Sequence, residues 1–131
     1  MASIICDIDG TLLEGGRKPI QRTISWVNSQ HGKYKVILIT ARSEARRSET
    51  VAELRQNGVK YDKLLMNSVG STHQDGLESK RINGKSVSRV VLAIDNDADA
   101  RAVYERLGYK TISPGRLSAT TLDKSFWSGI I

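Results

Sequence analysis

Apolar positions along this chain follow two rhythms, short continuous runs and stripes spaced three or four residues apart. The runs are Ile4 to Ile8, Lys35-Val36-Ile37-Leu38-Ile39-Thr40, Tyr61 to Asn67 and Arg89 to Asp95, with a shorter one at Tyr109 to Ile112. Runs of this length, rich in Ile, Val and Leu, predict strands buried on both faces. The stripes lie between them. Ile20, Ile24 and Val27 mark a helix over Ile20 to His31, with Gly32 as its stop and Trp26 half-buried on its flank. Val51 and Leu54 mark a second over Ser43 to Asn57, with Ser43 as N-cap and Gly58 as stop. Ala100, Val103, Tyr104 and Leu107 mark a third over Asp97 to Leu107, closed by Gly108. Leu77 to Val87 predicts only a short, irregular helix broken near Gly84, and polar Ser68 to Gly76 predicts an exposed loop in which His73 and Asp75 have no ligand role. Gly15-Gly16-Arg17-Lys18-Pro19 predicts a basic loop or small hairpin with its tip over the strand ends.

Strand and helix alternate throughout, which predicts an α/β fold: one Rossmann-like three-layer domain over residues 1–131, with a mainly parallel sheet of about five strands. Residues 117–131 form a tail without a clear period. Its Phe126-Trp127 and Ile130-Ile131 are expected to dock on the body, with a dimer contact or a disordered end as the alternatives. In parallel sheets ligands collect at the carboxyl ends of the strands. Asp7, Asp9, Thr40 and Asp95 all fall at such ends. Two carboxylates one residue apart, followed by Gly10 and Thr11, leave one acid free to attack and the other to move protons, with a sharp glycine turn beside them.

Composition narrows the partners. Lys and Arg outnumber Asp and Glu by 20 to 14 in 131 residues, a formal charge of +6. If several of the acids line a metal site, the remaining surface is more basic still, which favours phosphate-bearing partners. The single cysteine, Cys6, cannot form an intramolecular disulfide, which suits a reducing, cytoplasmic setting. No apolar run is long enough to cross a bilayer, and the N-terminus has no export-signal pattern, so a membrane partner is not expected.

The D-x-D-G-T run Asp7 to Thr11 after an apolar strand resembles the first motif of the haloacid dehalogenase superfamily of phosphotransferases. The strand ending in Thr40 resembles the second, and the acid-ended strand at Asp95 resembles the fourth. The third motif, a basic residue near the start of a helix, is matched by Lys80, with Lys85 as the alternative. The resemblance implies a phosphatase that works through an aspartyl-phosphate, with Asp7 as nucleophile and Asp9 as general acid and then base. It implies Mg²⁺, held by Asp7, the Asp9 backbone carbonyl and Asp95. Asp99 is the outer support, and Asp97 its possible substitute, because Asp95-Asn96 departs from the D-D variant of the fourth motif. Thr40 and backbone amides near Gly10 and Thr11 would hold the transferring oxygens, and a lysine would complete the neutralisation.

Residues 10–39 and 41–79 leave no room for a substantial cap domain, so the site is expected to stay open to large substrates. Thr40-Ala41-Arg42, the arginines after it, Tyr61 to Met66 and Leu92 to Asp95 further resemble the phosphatase domain of polynucleotide kinase-phosphatases. That resemblance implies removal of a 3′-phosphate from a nucleic-acid end, with Arg42 and Arg46 toward the substrate. Any kinase activity would lie on another chain, since no G-x-x-x-x-G-K-[ST] loop occurs. Two alternatives stand beside it: a small-molecule phosphatase such as a nucleotidase, and a non-catalytic phosphate- or nucleic-acid-binding module on the same fold. DNA or RNA, 3′ or 5′, and the oligomeric state stay open.

Overall fold

The first apolar run becomes the middle strand of the protein. The structure is a computed structural model, and it describes residues 1–15 and 17–123. In chain order come strand β1 (Ser3–Cys6), a hairpin of β2 (Leu13–Glu14) and β3 (Lys18–Pro19), helix α1 (Gln21–Gln30) and strand β4 (Lys35–Ser43). Then follow helix α2 (Arg47–Gln56), strand β5 (Lys63–Asn67), helix α3 (His73–Lys85), strand β6 (Val90–Ile94), helix α4 (Ala98–Arg106) and strand β7 (Thr111–Ile112). The main sheet has the order β5-β4-β1-β6-β7, and every neighbouring pair in it is parallel. This is the expected α/β architecture. No large cap interrupts it: among the described residues, only the hairpin and α1 separate β1 from β4.

Strand periodicity sorts the core into two layers. Ile4, Cys6, Val36, Leu38, Leu92 and Ile94 meet Ile24 and Val27 of α1 and Leu54 of α2 on one face. Ile5, Ile37, Ile39 and Ala93 meet Tyr104 of α4 on the other. Because β1 pairs with β4 and β6 on either side, with Cys6 level with Leu38 and Ile94, the residues after these strands emerge side by side.

Two local expectations change. Strand β4 runs on past Thr40 to Ser43, so Ser43 caps a short 3₁₀ turn (Glu44–Arg46) through Ala45 N–H, and α2 starts only at Arg47. Helix α3 begins inside the expected loop, at His73. Thr72 and Asp75 form a reciprocal capping box there, and the Thr72-x-x-Asp75 spacing was its sequence signal. The helix ends at Lys85, one residue past Gly84. Gly84 is there for packing, since a Cβ at this position would sit 2.9 Å from the Tyr104 ring. Finally, Arg46 and Arg47 pair with Glu49 and Glu44 at i,i+3, and Arg47 also donates to the Leu64 carbonyl. These bonds explain basic residues at a helix start that the helix dipole disfavours.

The start of the tail packs against α1. Leu117 is buried, Arg22 of α1 donates to its carbonyl, and Trp26 Nε1 donates to Ser118 O at 2.9 Å. Phe126-Trp127 and Ile130-Ile131 lie outside the described residues. No helix among those described is long and apolar enough to cross a membrane.

Replacing Gly84 by Ala forces a methyl against the buried Tyr104 ring. Overpacking of this kind costs about 1–3 kcal/mol, more than the ~1 kcal/mol of helix propensity gained. A net loss of about 1 kcal/mol is expected in urea unfolding; an unchanged or raised midpoint would contradict this packing role.

Candidate active site

The carboxyl end of the sheet gathers a buried charge cluster. Asp7 follows β1 directly, and its backbone N–H still donates to Ile94 O of β6 at 2.9 Å, which fixes it beside Asp95. Lys80 reaches both from α3: its Nζ donates to Asp7 Oδ1 at 3.2 Å and to Asp95 Oδ2 at 2.6 Å. Asp7, Lys80 and Asp95 are 4%, 5% and 0% exposed, so neither acid is balanced by bulk water and the ammonium is their counter-charge. Lys85, by contrast, is exposed at the end of α3. Burial raises the Asp7 carboxyl from an ordinary 3.8 to about 7, Lys80 opposing and Asp95 adding to the rise. Burial also pulls Lys80 down, but the two carboxylates outweigh it, so its pKa is raised and it stays charged.

Around this core the D-x-D-G-T loop closes on itself. Thr11 Oγ1 donates to Asp7 Oδ2 at 3.1 Å and accepts from Asn96 N–H at 3.2 Å. Gly10 has φ +77°, and a Cβ there would lie 2.3 Å from the Asn96 amide. Glycine is thus required both by the turn and by the approach of this side chain. Thr40 is fully buried and its Oγ1 accepts from Arg42 N–H at 3.1 Å, leaving its own O–H available to donate.

Asp9 turns the other way. Arg42 grips it with two hydrogen bonds, Nε to Oδ2 at 2.9 Å and Nη2 to Oδ1 at 2.8 Å. The guanidinium is anchored in turn by Thr50 Oγ1 at 3.1 Å and Glu53 Oε2 at 2.7 Å. Hydrogen bonding to Asp9, helped by Glu53 and opposed by burial, raises the Arg42 pKa further. The side chain of Arg42 is 2% exposed and that of Asp9 48%, so the arginine is fixed and the acid is the partner that faces solvent. Asp9 lines a cavity of about 490 Å³ together with Asp7, Ala41, Lys80, Asp95, Asn96 and Asp97.

The structure therefore brings Asp7, Asp9, Lys80 and Asp95 to one cavity, with Gly10 and Thr11 beside it and Thr40 buried next to Ala41 of its wall. Arg42 is held toward Asp9, and Arg46 stands on a neighbouring rim. Asp97 caps α4 through the Asp99 N–H and borders the cavity. Asp99 faces outward, its carboxylate 3.0 Å from His73 Nε2 on the surface.

Asn96 went unremarked in the sequence as a site residue, although its place beside Asp95 was the signal. With its amide nitrogen turned inward it donates to Asp9 O at 3.0 Å and Asp7 Oδ2 at 2.9 Å. With its oxygen turned inward, the same position sets an amide oxygen about 3 Å from both the Asp9 carbonyl and Asp7 Oδ2, and hard divalent cations take oxygen donors of these kinds. The residues present fit a hard divalent cation bound by oxygens.

A family model for haloacid dehalogenase-like hydrolases matches residues 4–89, and the chain belongs to that family. The match takes in Asp7, Asp9, Thr40 and Lys80. Among solved structures, a chain of the Pnkp1/Rnl/Hen1 RNA repair complex superposes with a TM-score of 0.64 at 24% identity, over 88% of this chain and 43% of that one. A chain from a second structure of a Pnkp1/Rnl/Hen1 complex gives 0.65 at 26% identity, over 86% and 45%. This chain thus spans less than half the length of those it superposes on. No curated protein matches it. Family and fold together support a phosphatase.

The raised Asp7 pKa sets a sign for stability in metal-free solution. The folded protein holds a proton on Asp7 at pH values where the unfolded chain, at the ordinary 3.8, has lost it. Stability from this group is therefore greatest at low pH and declines as pH rises from about 4 to about 7. Denaturant unfolding in EDTA across that range should show the decline in the parent and a flatter profile in Asp7→Asn. Parallel profiles would mean that Asp7 does not titrate in this window.

Proposed function

We propose that this protein is a Mg²⁺-dependent phosphomonoesterase that transfers the phosphoryl group to Asp7 and then to water, acting on the terminal phosphate, most simply the 3′-phosphate, of a nucleic-acid end. The observation that carries the proposal is the buried Asp7–Lys80–Asp95 cluster at the carboxyl edge of the sheet, in a chain of this hydrolase family. Its similarity in structure to chains from an RNA repair complex supports the nucleic-acid substrate.

In the first half-reaction an Asp7 carboxylate oxygen attacks phosphorus, the bond from phosphorus to the ester oxygen breaks, and Asp9 gives its proton to that oxygen. In the second, Asp9 takes a proton from water, the water oxygen bonds to phosphorus, and the bond to Asp7 breaks. Lys80 offsets the repulsion between carboxylate and phosphate, and Thr40 O–H with the amides after Asp7 offers donors to the phosphoryl oxygens. Asp7, the Asp9 carbonyl and Asn96 would hold Mg²⁺, with Asp95 behind them. Bound there, the ion supplies positive charge to the phosphate and keeps Asp7 ionised. In the resting arrangement Arg42 occupies both Asp9 oxygens, so proton transfer requires the exposed Asp9 to give up at least one of these bonds.

Two carboxylates lining the cavity proposed for the phosphate argue against a binding module that merely holds anions. Residues 1–131 are proposed to act as a single phosphatase domain.

Phosphate release should be measured with Mg²⁺ and with EDTA on 3′- and 5′-phosphorylated oligonucleotides. The expected result is metal-dependent release, fastest from the 3′-phosphate and lost by at least ~10³-fold in Asp7→Asn with the fold intact. Full activity in Asp7→Asn would rule out the mechanism; preference for the 5′-phosphate would overturn the assigned end.

A further inference from the structure

Beside the cavity that holds Asp7 lies a larger trough of about 690 Å³, walled by residues 41–44 and Arg46 on one side and 67–71 on the other. A small cavity of about 210 Å³ joins them, sharing Asn67 and Ser71 with the trough and Lys80 with the Asp7 cavity. Ala41 lines all three. A group attached to a phosphate placed at Asp7 can reach the trough through these adjoining cavities.

Its walls are set in advance by one buried side chain. Asn67 Nδ2 donates to Ala41 O at 3.1 Å on one wall and to Gly70 O at 2.7 Å on the other. Its Oδ1 accepts from the backbone of Val69 at 2.8 Å and Gly70 at 3.3 Å. A Cβ at Gly70 would sit 2.2 Å from Asp75 Oδ2, so a larger residue there would displace the carboxylate of the capping box. A loop so held need not be ordered by its ligand.

The charge on these walls is compensated. Arg42 is paired with Asp9 and Glu53, Arg46 with Glu49, and Glu44 with Arg47. A groove that follows a sugar-phosphate backbone needs cations that are not already matched by carboxylates. What the trough offers instead are the hydroxyls of Ser43, Ser68 and Ser71 and the side chain of Val69, 44% exposed. Hydroxyls suit a sugar and the edge of a base, and an exposed aliphatic surface suits the face of a base.

We infer that this trough is a subsite for one nucleoside, the one bearing the scissile phosphate, and that the enzyme reads this terminal unit and not the phosphodiester chain behind it. The inference rests on the nucleic-acid-end function proposed above. It makes Val69 and the loop held by Asn67 determinants of specificity.

The test compares phosphate release from a nucleoside 3′-monophosphate, 3′-phosphorylated di- and tetranucleotides, 1,2-dideoxyribose 3-phosphate and an aryl phosphate, each at low and moderate salt. The expected KM varies by less than about threefold from one to four nucleotides, with a shallow salt dependence. Loss of the base should raise KM roughly tenfold, the scale of one base contact. Val69→Asp should shrink the ratio of KM between the abasic and the nucleoside substrate toward one. KM that falls steeply with chain length and rises steeply with salt, or that ignores the base, would overturn the subsite while leaving the phosphatase intact. Release from none of these esters, the aryl phosphate included, would overturn the phosphatase itself.

Discussion

Everything at the carboxyl edge of this sheet depends on Lys80 reaching between Asp7 and Asp95. Parallel pairing of β1 with β6 forces the two acids together in a place where water does not balance them. Two neighbouring buried carboxylates repel each other and favour protonation; a shared ammonium, 3.2 Å from one and 2.6 Å from the other, is what lets them coexist. The position of α3 is consequently as important as that of the strands. Its start is fixed by the Thr72–Asp75 capping box, its middle rests on β4 where a Cβ at Gly76 would lie 3.0 Å from Ala41, and its end meets Tyr104 at Gly84. Small residues let the helix approach closely enough for a lysine to span the gap.

The sheet and its carboxyl-edge acids were legible because strand ends are written in composition: an apolar run that stops at an acid or a hydroxyl announces itself. Helix α3 was less so. Its sequence is polar with two internal glycines, and glycine counts against a helix locally while serving close packing in the folded protein. The 3₁₀ turn before α2 was hidden for a related reason, since Ser43 caps either kind of turn equally well. Lys80 could be named but not separated from Lys85 by sequence, because only the helix register decides which ammonium faces the acids. The partners of Arg42 lay beyond reach: Thr50 and Glu53, 8 and 11 positions along the chain, are ordinary helix residues until the fold brings them to the arginine they hold.

The basic face read from the arginines after Thr40 takes a different form in three dimensions. Charge counted along a chain does not reveal pairing, and Arg42, Arg46 and Arg47 all meet carboxylates supplied by Asp9 or by the segment they belong to. The consequence reaches the chemistry. Asp9 is both the proposed proton carrier and the solvent-facing end of a buried ion pair, so the residue that moves protons is also the one free to move.

The most direct test of the central claim, that Asp7 itself carries the phosphoryl group, uses Asp9→Asn with p-nitrophenyl phosphate and Mg²⁺ in a rapid-mixing experiment. Nitrophenolate leaves without help from an acid, whereas release of the phosphoryl group from Asp7 needs the base that this variant lacks. The account predicts a burst of about one nitrophenolate per protein molecule followed by a stall, with the phosphoryl group recovered on the peptide containing Asp7. Steady turnover without a burst and without a phosphorylated peptide, or a phosphoryl group on any other residue, would contradict it.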